Sequence, residues 1–240
     1  MSDLCKDLFS FIEKLGFQKF DETKILCAFT HPSYSVEHGM SELECYERLE
    51  FLGDAVLKLV VSDILFKKFP SDREGKLTNI RAILVSDDFL YNIAEDLGFK
   101  KYIKISKALE KEGGRDVHSI TACVFEAFLG ALFDSGVELG KISEFLNICY
   151  LKHVDDLKNS LPKFNSKAVL QEYTQALDNN RPEYVLTGKN GAENNVVFTV
   201  KVFYNGEELG TGSGKTKKQA EREAAYQACL KLKIMENINE

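Results

Sequence analysis

The sequence predicts an α+β protein in two parts, an all-helical amino-terminal domain followed by a small α-β-β-β-α domain. Three observations carry this. From residue 3 to about 153 the apolar spacing is mostly helical, with no convincing run of alternating strand residues. A polar segment, HVDDLKNSLPKFNS, then interrupts the pattern; it contains Pro162, and a proline pushes its preceding residue out of the helical region, so residues 155–163 read as a linker. Beyond it the period changes and short β-rich runs appear. The expected domains are therefore 1–154 and 164–240.

Composition sets outer limits. Apolar residues make up 44% and charged residues 28%, which excludes a disordered chain, a collagen-like repeat or a disulfide miniprotein. No apolar run reaches the roughly 18 residues that span a bilayer. The start, MSDLCKDLFSFIEKLG, lacks a basic opening and a small-residue cleavage site, so no membrane partner and a cytoplasmic location are expected. Six cysteines without any C-x-x-C read as free, mostly buried thiols. The formal charge of −6 argues against indiscriminate binding to nucleic acid, but it is unevenly spread. Residues 161–240 carry 11 basic against 10 acidic side chains, leaving 20 against 27 for residues 1–160.

In the first part, His31, His38, His118 and His153 share neither metal-site spacing nor a helical face, and HPSY reads as structural. Glu44 to Pro70, ECYERLEFLGDAVLKLVVSDILFKKFP, is a long amphipathic helix stopped by its proline. Glu47, Glu50 and Asp54 stand on one stripe of it, at i, i+3 and i+7. Two such charges about 5 Å apart repel by on the order of 3 kcal/mol at an effective dielectric near 20, so a partly buried cluster needs a cation. The plain alternative is a solvated acidic face. Leu49, Leu52, Val56, Leu59 and Val60 crowd the same turns, which argues that the stripe borders a buried face. Gly53, mid-helix, costs roughly 1 kcal/mol against Ala and fits a close approach by another backbone or a ligand. A second helix, SITACVFEAFLGALFDSG, sets Glu126 among Ala122, Ala127, Gly130 and Ala131, where two helices can approach closely. Carboxylate oxygens from two helices are hard ligands, suited to Mg²⁺ or Mn²⁺.

In the second part, KAVLQEYTQAL reads as a helix, PEYVLTG, VVFTVKVFY and EELGTGSG as strands, and Lys217 to about Lys233 as the closing helix. That order implies a three-stranded antiparallel sheet with both helices on one face. GTGSGKT is no P-loop, because Leu209 stands where that motif needs glycine, so no nucleotide cofactor is expected. Lys215, Lys217 and Lys218 instead gather ammonium groups at a helix start, a setting for phosphates or simply a solvated turn.

ERLEFLGDAVL (Glu47 to Leu57) closely resembles the signature of the ribonuclease III family. The flanking pieces THPSY, EGKLTNIRAILVS, GGR and FEAFLGALFDSG fall in that family's order and spacing, and GTGSGKTKKQAEREAA resembles the end of a double-stranded RNA-binding domain. The resemblance implies a homodimeric endonuclease that cleaves double-stranded RNA with Mg²⁺, or Mn²⁺ in its place. It further implies one strand cut per subunit, 5'-phosphate ends, short 3' overhangs, and precursors of ribosomal RNA and other structured transcripts as substrates. Glu47, Glu50, Asp54 and Glu126 match the family's acidic residues, the last three being the metal-site positions and Glu47 more peripheral. Phe51 resembles the aromatic that packs across the family's dimer interface, an ordinary core phenylalanine being the alternative. Gln171, Glu172 and Gln175 would face the RNA minor groove, and Asn194 stands where the family usually has histidine. Cys123 occupies the position of a family aspartate and metal ligand. Reduced activity, a changed metal preference, or a duplex-RNA-binding scaffold with an impaired nuclease site all remain open on that substitution.

Overall fold

The computed structural model describes residues 3–41, 43–152, 154–190 and 196–235, with backbone alone over 151–164, and divides into two compact units, Met1–His153 and Val154–Glu240.

The first unit is helical: α1 (Asp3–Lys14), α2 (Glu22–Ala28), α3 (Pro32–Glu37), α4 (Glu47–Lys68), α5 (Glu74–Leu84), α6 (Asp87–Asp96), α7 (Lys107–Lys111), α8 (His118–Asp134) and α9 (Leu139–Lys152). Helix α8 is its axis. Ile120, Val124, Phe125, Phe128, Leu129 and Leu132 are all buried, because α2, α4 and α6 pack around it. A helix apolar on every side is stable only when enclosed in this way. Phe29, Phe99, Phe125 and Phe128 are fully buried together, with neighbouring ring centroids 5.1 to 6.2 Å apart, the separation at which tilted and edge-on aromatic pairs are favourable.

Helices α4 and α8 meet backbone to backbone. A Cβ placed on Gly53 would lie 1.7 Å from the Glu126 carbonyl oxygen, and one on Gly130 would lie 2.1 Å from that of Leu49. Each glycine thus receives the other helix's main chain, as the mid-helix position of Gly53 predicts. HPSY is structural as expected. His31 caps α3, its Nδ1 accepting the Ser33 N–H at 3.0 Å, and Pro32 fills the first helical position, where its missing N–H costs nothing.

The second unit comprises α10 (Val154–Asp178), β1 (Glu183–Asn190), β2 (Val197–Tyr204), β3 (Glu207–Gly214) and α11 (Lys217–Lys231). The antiparallel sheet runs β1-β2-β3. Val200 and Val202 point into the core with Lys201 between them more exposed, the period-two signal of a half-buried strand. Leu170, Val200, Val202, Leu209, Ala220, Ala224 and Ala228 form the core. Gly210 and Gly212 let β3 lie against α11, since a Cβ there would come 2.5 and 2.1 Å from Ala224 backbone atoms.

One expectation is corrected. Residues 155–163, read as a linker, lie inside α10, and the boundary between units falls before Val154. A proline removes one i→i−4 hydrogen bond and crowds one carbonyl, but residues on both sides can keep helical angles, so Pro162 does not end this helix.

Candidate carboxylate site and RNA-binding surface

In the first unit, the seam between α4 and α8 gathers the acids. Glu50 and Asp54 rise from successive turns of α4, and Glu126 from α8 opposite Gly53; all three are half-buried. The Glu126 carboxyl is pushed up to about 8, first by burial, then by the negative charges of Asp54, Glu50 and Asp87, with the Lys58 ammonium opposing the shift. The acids therefore share one electrostatic site. Glu47 stands apart: it is exposed, with Oε2 3.8 Å from the Cys45 Sγ.

Cys123 lies within the same group. Burial, a hydrogen bond to Glu50 and the charges of Glu50, Glu126 and Asp87 push its thiol up to about 12. In the metal-free protein the thiol therefore keeps its proton at neutral pH. It accordingly replaces an anion with a hydrogen-bond donor.

The sequence reading misses three neighbours. Lys58, one turn beyond Asp54, places Nζ 2.6 Å from Asp54 Oδ2. An i,i+4 spacing signalled this pair. Tyr46, buried just before α4, has its phenol pushed up by burial and by the charges of Cys123, Glu50 and Glu47. Asp87 arrives from α6, and only the packing of α6 on α8 brings it near; no local pattern announces that.

Mg²⁺ suits this donor set, since three carboxylates are hard oxygen ligands and the raised Glu126 carboxyl reports negative charge that a cation would relieve. As placed, no three His, Cys, Asp or Glu side chains among the described residues converge closely enough to hold an ion. Asp54 is turned to Lys58, so its carboxylate must be freed before it can hold a metal.

Phe51 does not join the core: it is 81% exposed and shares the outer side of α4 with Leu59 and Phe66, at 57% and 71%. Leu59, read as part of the buried face, is corrected to this exposed one; Val56 and Val60 are buried as expected.

In the second unit, Lys215, Lys217 and Lys218 are exposed at the start of α11. Thr216 caps that helix: its Oγ1 accepts the Gln219 N–H at 3.1 Å, and Gln219 Oε1 accepts the Thr216 N–H at 3.3 Å. This reciprocal cap leaves the Lys217 and Lys218 N–H groups outside the helical hydrogen bonding, adding partial positive charge beside the ammonium groups. Gln171 and Glu172 are exposed on α10, with Gln175 half-buried one turn on. Ion pairing of Lys167 with Glu221 at 2.6 Å ties α10 to α11. Asn194 lies outside the described residues.

A carboxylate cluster in a helical unit, followed by an α-β-β-β-α unit with a lysine-rich helix start, defines the class: a nuclease domain joined to a duplex-RNA-binding domain. Comparison with known proteins agrees. The ribonuclease-III-like family model matches residues 21–152 and the double-stranded RNA binding motif matches residues 166–232. The chain is 42% identical to Ribonuclease 3 of Listeria monocytogenes serotype 4a over 221 residues, covering 92% of this chain and 95% of that protein. It is likewise 42% identical to Ribonuclease 3 of Bacillus cereus strain G9842 over 225 residues, covering 93% and 90%. A solved structure of the ribonuclease III nuclease domain from Campylobacter jejuni, described as flexible in the region involved in dimer formation, is 34% identical with a TM-score of 0.51, covering 61% of this chain and 94% of that one. This chain belongs to the ribonuclease III family.

Proposed function

We propose that this ribonuclease III-type endoribonuclease cuts double-stranded RNA at the α4–α8 seam, where Glu50, Asp54 and Glu126 hold a divalent cation and Glu47 stands outside that set. The observation that carries the reading is the placing of half-buried Glu50, Asp54 and Glu126 along the tight α4–α8 contact, where burial and the charges of Asp54 and Glu50 push the Glu126 carboxyl up to about 8. Oxygen donors favour Mg²⁺, with Mn²⁺ as a substitute. Such an ion, when bound, makes water a better nucleophile and offsets charge on the phosphate and leaving oxygen. The chain's own residues prepare the site. Gly53 and Gly130 fix the separation of the two helices and with it the spacing of the acids. Cys123 brings a soft sulfur where Mg²⁺ prefers oxygen, so the three carboxylates carry the ion.

The unit Met1–His153 then acts as the nuclease domain and Val154–Glu240 as the RNA-binding domain. Lys215, Lys217 and Lys218 meet phosphates, while Gln171, Glu172, Gln175 and Asn194 reach 2'-hydroxyls across the minor groove, a mode that reads duplex shape more than sequence. The exposed Phe51 packs across a homodimer built on α4, so that two sites cut opposite strands and leave 5'-phosphates and short 3' overhangs. Precursors of ribosomal RNA and structured messenger RNA in the cytoplasm are the fitting substrates. No helix among the described residues is long and apolar enough to cross a membrane.

The test is cleavage of a long labelled duplex with Mg²⁺ and, separately, Mn²⁺, by this protein and its Glu126→Ala variant. Metal-dependent cutting that disappears in the variant is expected. Cutting that survives Glu126→Ala, or none with either metal despite tight duplex binding, overturns the reading.

A further inference from the structure

We propose that Lys58 is the counter-ion of the metal-free carboxylate cluster and competes with the divalent cation for Asp54, so that it sets the metal concentration at which the site fills. This rests on the reading of Glu50, Asp54 and Glu126 as the residues that hold the cation. Glu50, Asp54 and Lys58 follow one another at four-residue steps, so the ammonium continues the acidic stripe of α4 toward its C-terminus. Its Nζ sits 2.6 Å from Asp54 Oδ2. That is hydrogen-bonding distance, and the pair occupies an oxygen a metal would use.

An ammonium and a divalent ion on one carboxylate repel each other, so filling the site requires Lys58 to leave. The side chain is built to do so: it is 52% exposed on a four-carbon stem, with solvent beside it. Its influence also reaches the facing helix, because its charge favours the ionised form of Glu126. Lys58 thus neutralises Asp54 directly and only opposes, from farther off, the upward push on the Glu126 carboxyl.

The same helix supplies a control. Lys67 pairs with Asp63 at 2.7 Å with the same i,i+4 spacing, both partners being more exposed than Lys58 and Asp54. Asp63 lies nine residues from Asp54, roughly 13 Å along the axis at 1.5 Å per residue. An ordinary surface pair should not affect the metal site, and Lys67–Asp63 is one.

The experiment is a Mn²⁺ titration of the full chain without RNA, reading free Mn²⁺ by electron paramagnetic resonance. Wild type, Lys58→Met, Lys58→Arg, Lys67→Met and Glu126→Gln are compared at one pH and ionic strength. Lys58→Met should bind Mn²⁺ about two- to fivefold more tightly, the range a partly exposed ion pair supports. Lys58→Arg should stay near wild type, and Lys67→Met should not differ from it. Equal or weaker binding by Lys58→Met overturns the competition, as does equal tightening in Lys67→Met. Wild-type binding that is absent, or that persists unchanged in Glu126→Gln, instead overturns the metal reading of the cluster and takes this proposal with it.

Discussion

Replacing Glu126 by Gln should stabilise the metal-free helical unit, and the gain should grow with pH. The folded-state carboxyl titrates at about 8 against an ordinary 4.5. Below the lower value both folded and unfolded chains hold the proton, and the substitution gains nothing. As pH rises between the two values, the unfolded chain releases its proton while the folded one keeps it, so stability falls; above the upper value the loss is complete. A shift of about 3.5 units at about 1.4 kcal/mol per unit gives a ceiling of about 5 kcal/mol. Glu126 reaches solvent, and screening reduces this to roughly 1–2 kcal/mol. Gln keeps the shape and removes the titration. For a unit of this size the gain corresponds to a melting point roughly 2–8 °C higher at the alkaline end. The assay is thermal unfolding of both proteins in chelator, followed by circular dichroism between about pH 5 and 8.5. Melting points that run parallel across that range would refute the idea that burial and like charges strain this carboxylate.

Gly53→Ala should destabilise the helical unit by at least about 2 kcal/mol in a denaturant melt, although Ala is the better helix former, because its methyl meets α8 main chain that cannot swing aside; an unchanged midpoint contradicts the close helix contact. Cys123→Asp should raise Mg²⁺-dependent duplex cleavage, and an equal or lower rate would show that the missing carboxylate does not limit catalysis. Lys217→Ala should weaken binding to duplexes of every sequence and lower the slope of log affinity against log salt by about one contact, which filter binding at several salt concentrations can read. Phe51→Ala should shift the protein from dimer to monomer in light scattering; a dimer of unchanged affinity removes Phe51 from the interface.

How much of this could be read from the chain depends on how local each signal is. The acids of α4 were legible because three of them repeat with the helical period beside apolar residues, and Gly53 because a glycine mid-helix asks for an explanation. Glu126 was legible from the small residues around it. Asp87 and Tyr46 were not, since their nearness to Cys123 comes from packing between elements distant in sequence. Lys58 was visible as an i,i+4 partner, yet only its position beside the metal-site acids gives the pair meaning. Pro162 misled, because the rule that a proline ends a helix describes a local preference that the surrounding chain can outweigh. Leu59 misled differently: periodicity places it beside Val56 and Val60 but cannot say which edge of the stripe faces outward.

The reciprocal seating of Gly53 and Gly130 also bears on how such a chain tolerates change. Position 123 carries a reactive-atom type of its own, and a thiol stands there without disturbing the helix around it. Positions 53 and 130 admit no side chain at all, because each is filled by the other helix's peptide. Mutational drift can therefore rewrite the chemistry at this seam more readily than the frame that presents it, and variants with new metal preferences should arise at the acids while both glycines stay as they are.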